Sequence, residues 1–530
     1  VPEPDSLDHW SQALCTAAWI VLVVGVPVLF VRAWRATRPD VVLVAALAGF
    51  ALAVRLAIPW GPLNFVDADR LSPLWRTDYR VLPTFASVPS ALAALCDLGA
   101  KPALLMRLWG PVMGTLSVAV AYGGARLLGV TRASAAVAGL VVATWPAHVH
   151  CSASAMLTVE AGTFAAGALA LAARGLPDRV ITLILAALVT LTVYSRPECR
   201  LIVIPIALLV LGPRWTTSSR LLLAALLAVP LLSYVPMALS VKEMGRGSLS
   251  DGCHLAAARD LATHVQLGDP WILLAVAGVL FGATTARNRL ALALFPTMLG
   301  SLYLLAATDR SPHWGQSKYW VILIPTAAIA LALALDRARL TRAFLPLAGG
   351  ASTLAVFALL LSWPTLRARN DEQAAYDFVR RTAPEAVAPG STVYVQYFGD
   401  SQQSGALLGL GASLGRSGID TVCGRDRAEP GPVRIRALSA DVIDCPGWLQ
   451  AGGIVFLGVE RNVDSSGTPA GREPAVVTLL RSRFALEPLQ EDAAWVVPDM
   501  PGMNPDRCGA SFPGPTFLAQ FGWYRIKRRS

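Results

Sequence analysis

Arg55-Leu-Ala-Ile-Pro59-Trp-Gly-Pro-Leu-Asn-Phe-Val-Asp67-Ala-Asp69-Arg70-Leu-Ser-Pro-Leu-Trp-Arg-Thr-Asp-Tyr79 is the first long break in an otherwise apolar chain. Asp67 and Asp69 follow soon after a hydrophobic run that ends at Pro59, so they fall just outside the hydrocarbon if that run spans a bilayer. Taken alone, they read as solvated loop residues, with Asp69 capping the helix that follows. A carboxylate held at that depth is also where a membrane enzyme keeps a catalytic acid or base. The rest of the chain decides between the two.

Working outward, 54% of the 530 residues are hydrophobic and only 15% are charged, and apolar runs of near-spanning length recur from Ala13 to Trp363. This is the composition of an α-helical polytopic membrane protein. The net charge of +10 comes almost wholly from arginine, since lysine occurs only at 101, 242, 318 and 527. A basic membrane protein holds such a surplus in its cytoplasmic loops, so nucleic acid is not an expected partner.

About twelve spans are predicted, at 14–31, 41–59, 103–126, 132–149, 154–174, 180–194, 200–212, 221–240, 271–286, 290–307, 319–336 and 343–363; several are short for about 30 Å of hydrocarbon. Arginines cluster in alternate connections: Arg32, Arg35 and Arg38; Arg126 and Arg132; Arg174 and Arg179; Arg214 and Arg220; Arg287 and Arg289; Arg337, Arg339 and Arg342. The positive-inside rule makes those loops cytoplasmic. Both termini, the Asp67–Asp69 loop and everything after Pro364 are then extracytoplasmic. The acidic opening (Glu3, Asp5, Asp8) fits an outside N-terminus. The first apolar run has its arginines after it rather than before, so it is expected to stay as a helix rather than be cleaved as a signal. The stretch Val81–Leu98, interrupted by Pro83 and Pro89, reads as an interfacial helix or helix pair; as a spanning helix it would reverse every later loop.

Beyond Pro364 the apolar runs shorten and the periodicity changes. Glu372–Thr382, Ala406–Leu414 and Pro474–Phe484 have helical spacing, whereas Ser391–Tyr397, Ala440–Cys445, Gly453–Val459 and Trp523–Ile526 read as strands. The organisation expected is an N-terminal extra helix over 1–40, a membrane domain over 41–364, and a small extracytoplasmic α/β domain over 365–530 with its own core. Glycines 409, 411 and 415 lack the spacing of a dinucleotide fingerprint. An oxidising compartment favours a Cys423–Cys445 disulfide, and the absence of any Cys-x-x-Cys pair argues against a zinc ribbon or thioredoxin-like site.

Ionisable residues in the spans are costly, which makes their positions informative. Arg55, Arg107, His148 and Glu160 all lie toward the outer halves of their helices. The outward connections add Trp145-Pro-Ala-His148-Val-His150-Cys-Ser152, Tyr194-Ser-Arg196-Pro-Glu198-Cys-Arg200 and Asp309-Arg310-Ser-Pro-His313-Trp-Gly-Gln-Ser-Lys318-Tyr319. Each has a plain structural reading: Arg196 pairing with Glu198, Arg310 and Lys318 snorkelling to headgroups, histidines sitting at the interface. Together, carboxylates facing several outward cations describe one chemically active face suited to an anionic lipid-linked donor. A proton-coupled transporter or flippase would instead keep carboxylates near the midplane.

The order of these parts resembles the GT-C superfamily of polyprenyl-phosphate-sugar-dependent glycosyltransferases, which includes the protein O-mannosyltransferases and the bacterial aminoarabinose transferases. The resemblance covers roughly 41–340 and rests on short motifs: Asp67 in the first large outer loop, Pro146 with Ser152 and Glu160 at an outer turn, Arg196-Pro197, and Lys318-Tyr319. The family's usual Asp-Glu pair appears here as Asp67-Ala68-Asp69. The resemblance implies inverting sugar transfer from a polyprenyl-phosphate-linked donor to a hydroxyl of a cell-envelope glycan, lipid or protein, at the outer face of the bacterial inner membrane. It assigns Asp67 as base with Asp69 as its neighbour or replacement. Arg196, Arg310 and Lys318 become the donor-phosphate clamp with His313 assisting, and Glu160 and His148 face the acceptor or sugar. A divalent cation between Asp67, Asp69 and His148 is compatible with this set, although hard cations draw on more carboxylates than are gathered there; no cofactor is assigned. Two other classes use the same features, a lipid or polysaccharide flippase and a catalytically silent cell-envelope binding protein.

Overall fold

The structure is a computed structural model and describes residues 4–60, 71, 74, 85–154, 158–175, 178–244, 321–338, 343–369, 371–388, 391–396, 402–414, 419–420, 434–438, 443, 453–462, 475–496 and 517–528. The expected spans at 271–286 and 290–307 and the Cys423–Cys445 pair lie outside the described residues.

The chain begins with a helix labelled here α1, Pro4–Leu56. A straight helix of that length would be about 80 Å long, far more than a bilayer. Its contacts show that it is not straight. Trp19 packs edge-on against Trp109 with ring centroids 5.9 Å apart, while Arg55 lies against Gly114, little more than a turn further along the same neighbouring helix. Trp19 and Arg55 therefore sit at nearly one level, and α1 bends back on itself between them, as two antiparallel passes require.

The bundle continues with α2 (Ser87–Asp97), α3 (Pro102–Leu127), α4 (Arg132–Thr144), α5 (Pro146–Ser152), α6 (Thr158–Arg174), α7 (Arg179–Val193), a 3-10 turn over Pro197–Ile202, α8 (Val203–Val210), α9 (Thr217–Met244), α10 (Ile324–Ala338) and α11 (Phe344–Arg367). Among the described residues, Trp10–Leu29, Pro102–Leu127, Val321–Ala338 and Phe344–Pro364 are long and apolar enough to cross a membrane. Two expected spans are broken. The 132–149 run divides at Pro146, which has no N–H to continue α4 and instead starts α5. In the 200–212 run only the eight residues of α8 are α-helical, about 12 Å of rise, too short to cross. Val81–Leu98 yields the 11-residue α2, likewise too short to span, but it is no surface helix: Ser87, Val88, Ser90 and Leu92 are buried.

The two ends of the bundle differ chemically. At one, Asp40 accepts hydrogen bonds from Tyr122 (2.6 Å) and Arg132 (2.9 Å) and pairs with Arg126. Burial alone would raise the Asp40 carboxyl, but these three partners outweigh it and hold it below the usual carboxylate range. The loop between α3 and α4 is also tied to α10, through Thr131 N–H donating to Asp336. At the opposite end lie Arg55, His148, Glu160 and the attachment of the C-terminal domain.

That domain comprises α12 (Asp371–Ala386), β1 (Thr392–Gln396), α13 (Gln402–Leu414), β2 (Ile419–Asp420), β3 (Arg434–Leu438), β4 (Ile454–Asn462), α14 (Ala475–Arg483), β5 (Phe484–Val496) and β6 (Phe517–Arg528). The described strands form one sheet in the order β2-β3-β1-β4-β6-β5, parallel from β2 to β4 and antiparallel thereafter. Of the expected strand at Ala440–Cys445, only Ile443 is described, in helical conformation. β5 is an edge strand whose register slips between Pro488 and Gln490, the place where a sheet tolerates proline. One core joins this domain to the bundle: Phe378, Val379, Phe456 and Trp523 pack in the same cluster as Leu71, Leu74, Val88, Leu92 and Met106. Trp60 meets Tyr376 edge-on at 4.7 Å. The domain therefore caps the end of the bundle that carries Arg55, His148 and Glu160.

Candidate active site

The site begins with the break in α4. An α-helix interrupted by proline leaves carbonyls without their usual donors: Val142 O would pair with the N–H that Pro146 lacks. Arg55 reaches across from α1 to serve this helix end. Its Nη2 donates to Val142 O (3.2 Å) and to His148 Nδ1 (2.9 Å), its Nη1 to Ala143 O (3.4 Å) and Ala51 O (3.0 Å), and its Nε to Ser152 Oγ (2.7 Å). The guanidinium has five N–H groups, and these five bonds use them all. Every acceptor is neutral. Arg55 is only 1% exposed, so its charge is balanced within this shell by nothing stronger than the C-terminal dipole of α4, worth roughly half a charge.

Close approach of α3 makes this possible. A Cβ at Gly114 would collide with Ser152 Cβ and Arg55 Nε, and one at Gly110 with Ser154 O. The Gly110-x-x-x-Gly114 face is thus a slot for the turn between α5 and α6, the small-residue packing common between membrane helices.

On the same stretch of α3, Trp109 Nε1–H donates to Glu160 Oε1 at 3.0 Å. Glu160 is buried in the first turn of α6, where the positive end of the helix dipole favours a carboxylate. Trp109 touches Trp19, which stands edge-on to Phe164 at 5.4 Å and donates its indole N–H to Ser87 O at 2.8 Å. Ser87 in turn holds the Arg196 turn: its N–H donates to Tyr194 O (3.1 Å), and its hydroxyl bonds Ser195 Oγ (2.7 Å). Because Ser195 Oγ already donates to Leu191 O, Ser87 is the donor. Arg196 itself is buried.

The structure thus gathers three of the residues expected from sequence, His148, Glu160 and Arg196, at one end of the bundle beneath the C-terminal domain. Asp67, Asp69, Arg310, His313 and Lys318 lie outside the described residues. Sequence reading misses the structural connectors Trp19, Ser87 and Trp109. Trp109 carries a usable signal, two residues after the outward-lying Arg107, but nothing local ties Trp19 or Ser87 to the site.

The hydrogen bond from Arg55 also bears on metal binding. Arg is always a donor, so His148 Nδ1 is the acceptor, and a neutral imidazole with its lone pair on Nδ1 carries its proton on Nε2. No lone pair is left for a cation, so the arrangement does not fit His148 as a ligand beside Asp67 and Asp69. Among the described residues no group of three metal-ligating side chains occurs.

No protein-family model and no curated protein matches this chain. Among solved structures it is similar to ArnT from Cupriavidus metallidurans in the apo state, with a TM-score of 0.53 and 15% identity over 92% of this chain and 98% of that one. The same protein bound to undecaprenyl phosphate matches with a TM-score of 0.53 and 14% identity over the same shares. ArnT is a GT-C aminoarabinose transferase. At this identity the likeness establishes the fold: an ArnT-like helical bundle with a C-terminal mixed sheet.

Proposed function

We propose that this protein is a multi-pass membrane glycosyltransferase that moves a sugar from a polyprenyl-phosphate-linked donor to an acceptor hydroxyl at the outer face of the bacterial inner membrane. The observation that carries this reading is the extent of the likeness, which takes in bundle and C-terminal domain together, to a protein also solved with undecaprenyl phosphate. The buried charges at one end of the bundle support it.

In this reaction the acceptor oxygen attacks the anomeric carbon, a new C–O bond forms with inversion, and the bond from that carbon to the phosphate oxygen breaks. Asp67 takes the acceptor proton, a role worth about 10² to 10⁴-fold, with Asp69 beside it. Arg196, Arg310 and Lys318, assisted by His313, stabilise the charge left on the departing phosphate. Glu160, oriented by Trp109, faces the sugar or acceptor. Transfer of radiolabelled sugar by the purified protein tests the proposal; binding or movement of the lipid without transfer would favour a flippase or binding protein.

Two expectations follow. If the Arg310–Lys318 turn clamps phosphate, Arg310→Ala and Lys318→Ala each lower kcat/KM for donor by about tenfold or more without loss of folded protein; unaltered kinetics in both would remove the turn from the site. If the arginine loops are cytoplasmic, an impermeant thiol reagent applied to intact cells labels a cysteine introduced at Ser465 and misses one at Ala36. Labelling of the second alone would invert the topology.

A further inference from the structure

We propose that Arg55 is a positioning residue that fixes His148 as an Nε2–H donor, and that this N–H binds an anionic phosphate oxygen of the polyprenyl-phosphate lipid. The proposal deepens the glycosyltransferase reading and rests on it for the identity of the lipid.

Three observations carry it. First, the 2.9 Å bond from Arg55 Nη2 to His148 Nδ1 settles the tautomer, because a guanidinium cannot accept. Second, the resulting Nε2–H, on the far side of the ring from Arg55, is fully buried and has no hydrogen-bond partner among the described residues. A buried donor left in this state is unfavourable, and a bound acceptor would recover the loss. Third, the acceptor that best suits it is anionic. Arg55 places a guanidinium charge directly behind the ring, and its five N–H groups are spent on neutral acceptors. Arg55 therefore cannot grip the anion itself and acts through the imidazole, polarising Nε2–H as a donor. A sugar hydroxyl would gain little from that charge; a phosphate oxygen gains most.

The position agrees. His148 is on the short helix whose following turn is seated in the Gly110–Gly114 slot, one residue of α3 from the Trp109 that holds Glu160. In this arrangement the histidine is neither a base nor a metal ligand, since Nδ1 accepts from Arg55 and Nε2 carries the proton.

Two substitutions separate this role from a purely structural one. In His148→Asn the amide oxygen takes the place of Nδ1 and keeps the bond from Arg55, but the Nε2–H is gone. In His148→Gln the amide N–H stands near the position of Nε2, but the acceptor for Arg55 is lost. Affinity of the purified full-length protein is measured for undecaprenyl phosphate and for undecaprenol, with ¹⁵N-histidine spectra identifying the His148 tautomer. The wild type is expected to prefer the phosphate and to show a protonated Nε2 and an unprotonated, hydrogen-bonded Nδ1. His148→Asn is expected to bind undecaprenyl phosphate about ten- to hundredfold more weakly, the loss of one hydrogen bond to a charged group, with undecaprenol binding unchanged; His148→Gln retains more of the preference. The opposite order, with Asn harmless and Gln damaging, assigns His148 a structural role and overturns the proposal, as does a wild type with no preference for phosphate or a proton on Nδ1. Sugar transfer is read separately: phosphate binding that depends on His148 in a protein that transfers no sugar would defeat the catalytic reading and leave this one standing.

Discussion

Asp67→Asn is expected to abolish sugar transfer while leaving expression and donor binding near normal. Asparagine keeps the size and most of the hydrogen bonding of aspartate but cannot take a proton, so the variant removes the base and little else. The expected loss is at least about 10² to 10⁴-fold in kcat. The sequence expectation is that Asp67, close after the apolar run ending at Pro59, lies beside the bilayer, where partial desolvation would make a carboxylate a better proton acceptor. Asp69→Asn is expected to lose less. The reverse ranking moves the base to Asp69, which the Asp-Ala-Asp sequence allows. Full activity in both single variants and in the double variant would defeat a carboxylate base in this loop.

The second large effect is on the fold. Arg55→Met is expected to destabilise the protein by several kcal/mol and to reduce its yield sharply, because one side chain serves five acceptors. Val142 O and Ala143 O at the Pro146 break, Ser152 Oγ and His148 Nδ1 all lose a buried donor, and each orphaned group costs about 1 to 3 kcal/mol, with less than additive sums. Removing the desolvated charge returns part of this. Arg55→Lys keeps the charge but offers three donors without the planar fork, so it is expected to restore only part of the loss. The measurement is thermal unfolding in detergent with and without undecaprenyl phosphate; a wild-type melting temperature for Arg55→Met would contradict the bracing role.

What the sequence conveys, and what it does not, follows from the range over which each signal acts. Helices with clear composition, such as α3, α7 and α12, are legible because hydrophobic patterning is local. So is the change of character at Pro364, after which α11 ends at Arg367 and α12 starts at Asp371. The 132–149 run reads as one span because its composition is uniform; Pro146 carries the information that it is two helices, and the consequence, a carbonyl end open to Arg55, depends on a residue almost ninety positions earlier. β5 is not legible as a strand because Glu487-Pro488 and Gln490-Glu491-Asp492 have the character of a loop. Among the described strands β5 pairs only with β6, at the sheet edge, which lets such residues form a strand. Val81–Leu98 reads as interfacial from its length and prolines, but α2 is buried between α1 and the Arg196 turn on one side and the C-terminal domain on the other, which no local pattern encodes.

In the candidate site, the ionisable residues stand out by their cost in an apolar chain, and Arg55, His148 and Glu160 are conspicuous on that ground alone. Their roles are not. Whether His148 accepts a proton, ligates a metal or donates a hydrogen bond turns on which nitrogen faces Arg55, a matter of one 2.9 Å contact between segments 93 residues apart. Likewise Glu160 is held by Trp109 through packing of α3 on α6, and the Arg196 turn by Ser87 and Trp19.

A glycosyltransferase of this kind breaks a sugar–phosphate bond and makes a glycosidic one. The most direct measurement follows both products in one reaction: purified protein in lipid nanodiscs, a polyprenyl-phosphate donor bearing radiolabelled sugar, and an extract of cell-envelope acceptors, with free polyprenyl phosphate and acceptor-bound label quantified together. Equal yields of the two, abolished by Asp67→Asn, are the predicted result. Unchanged donor in the presence of tightly bound lipid, with the same outcome for wild type and Asp67→Asn, would contradict it.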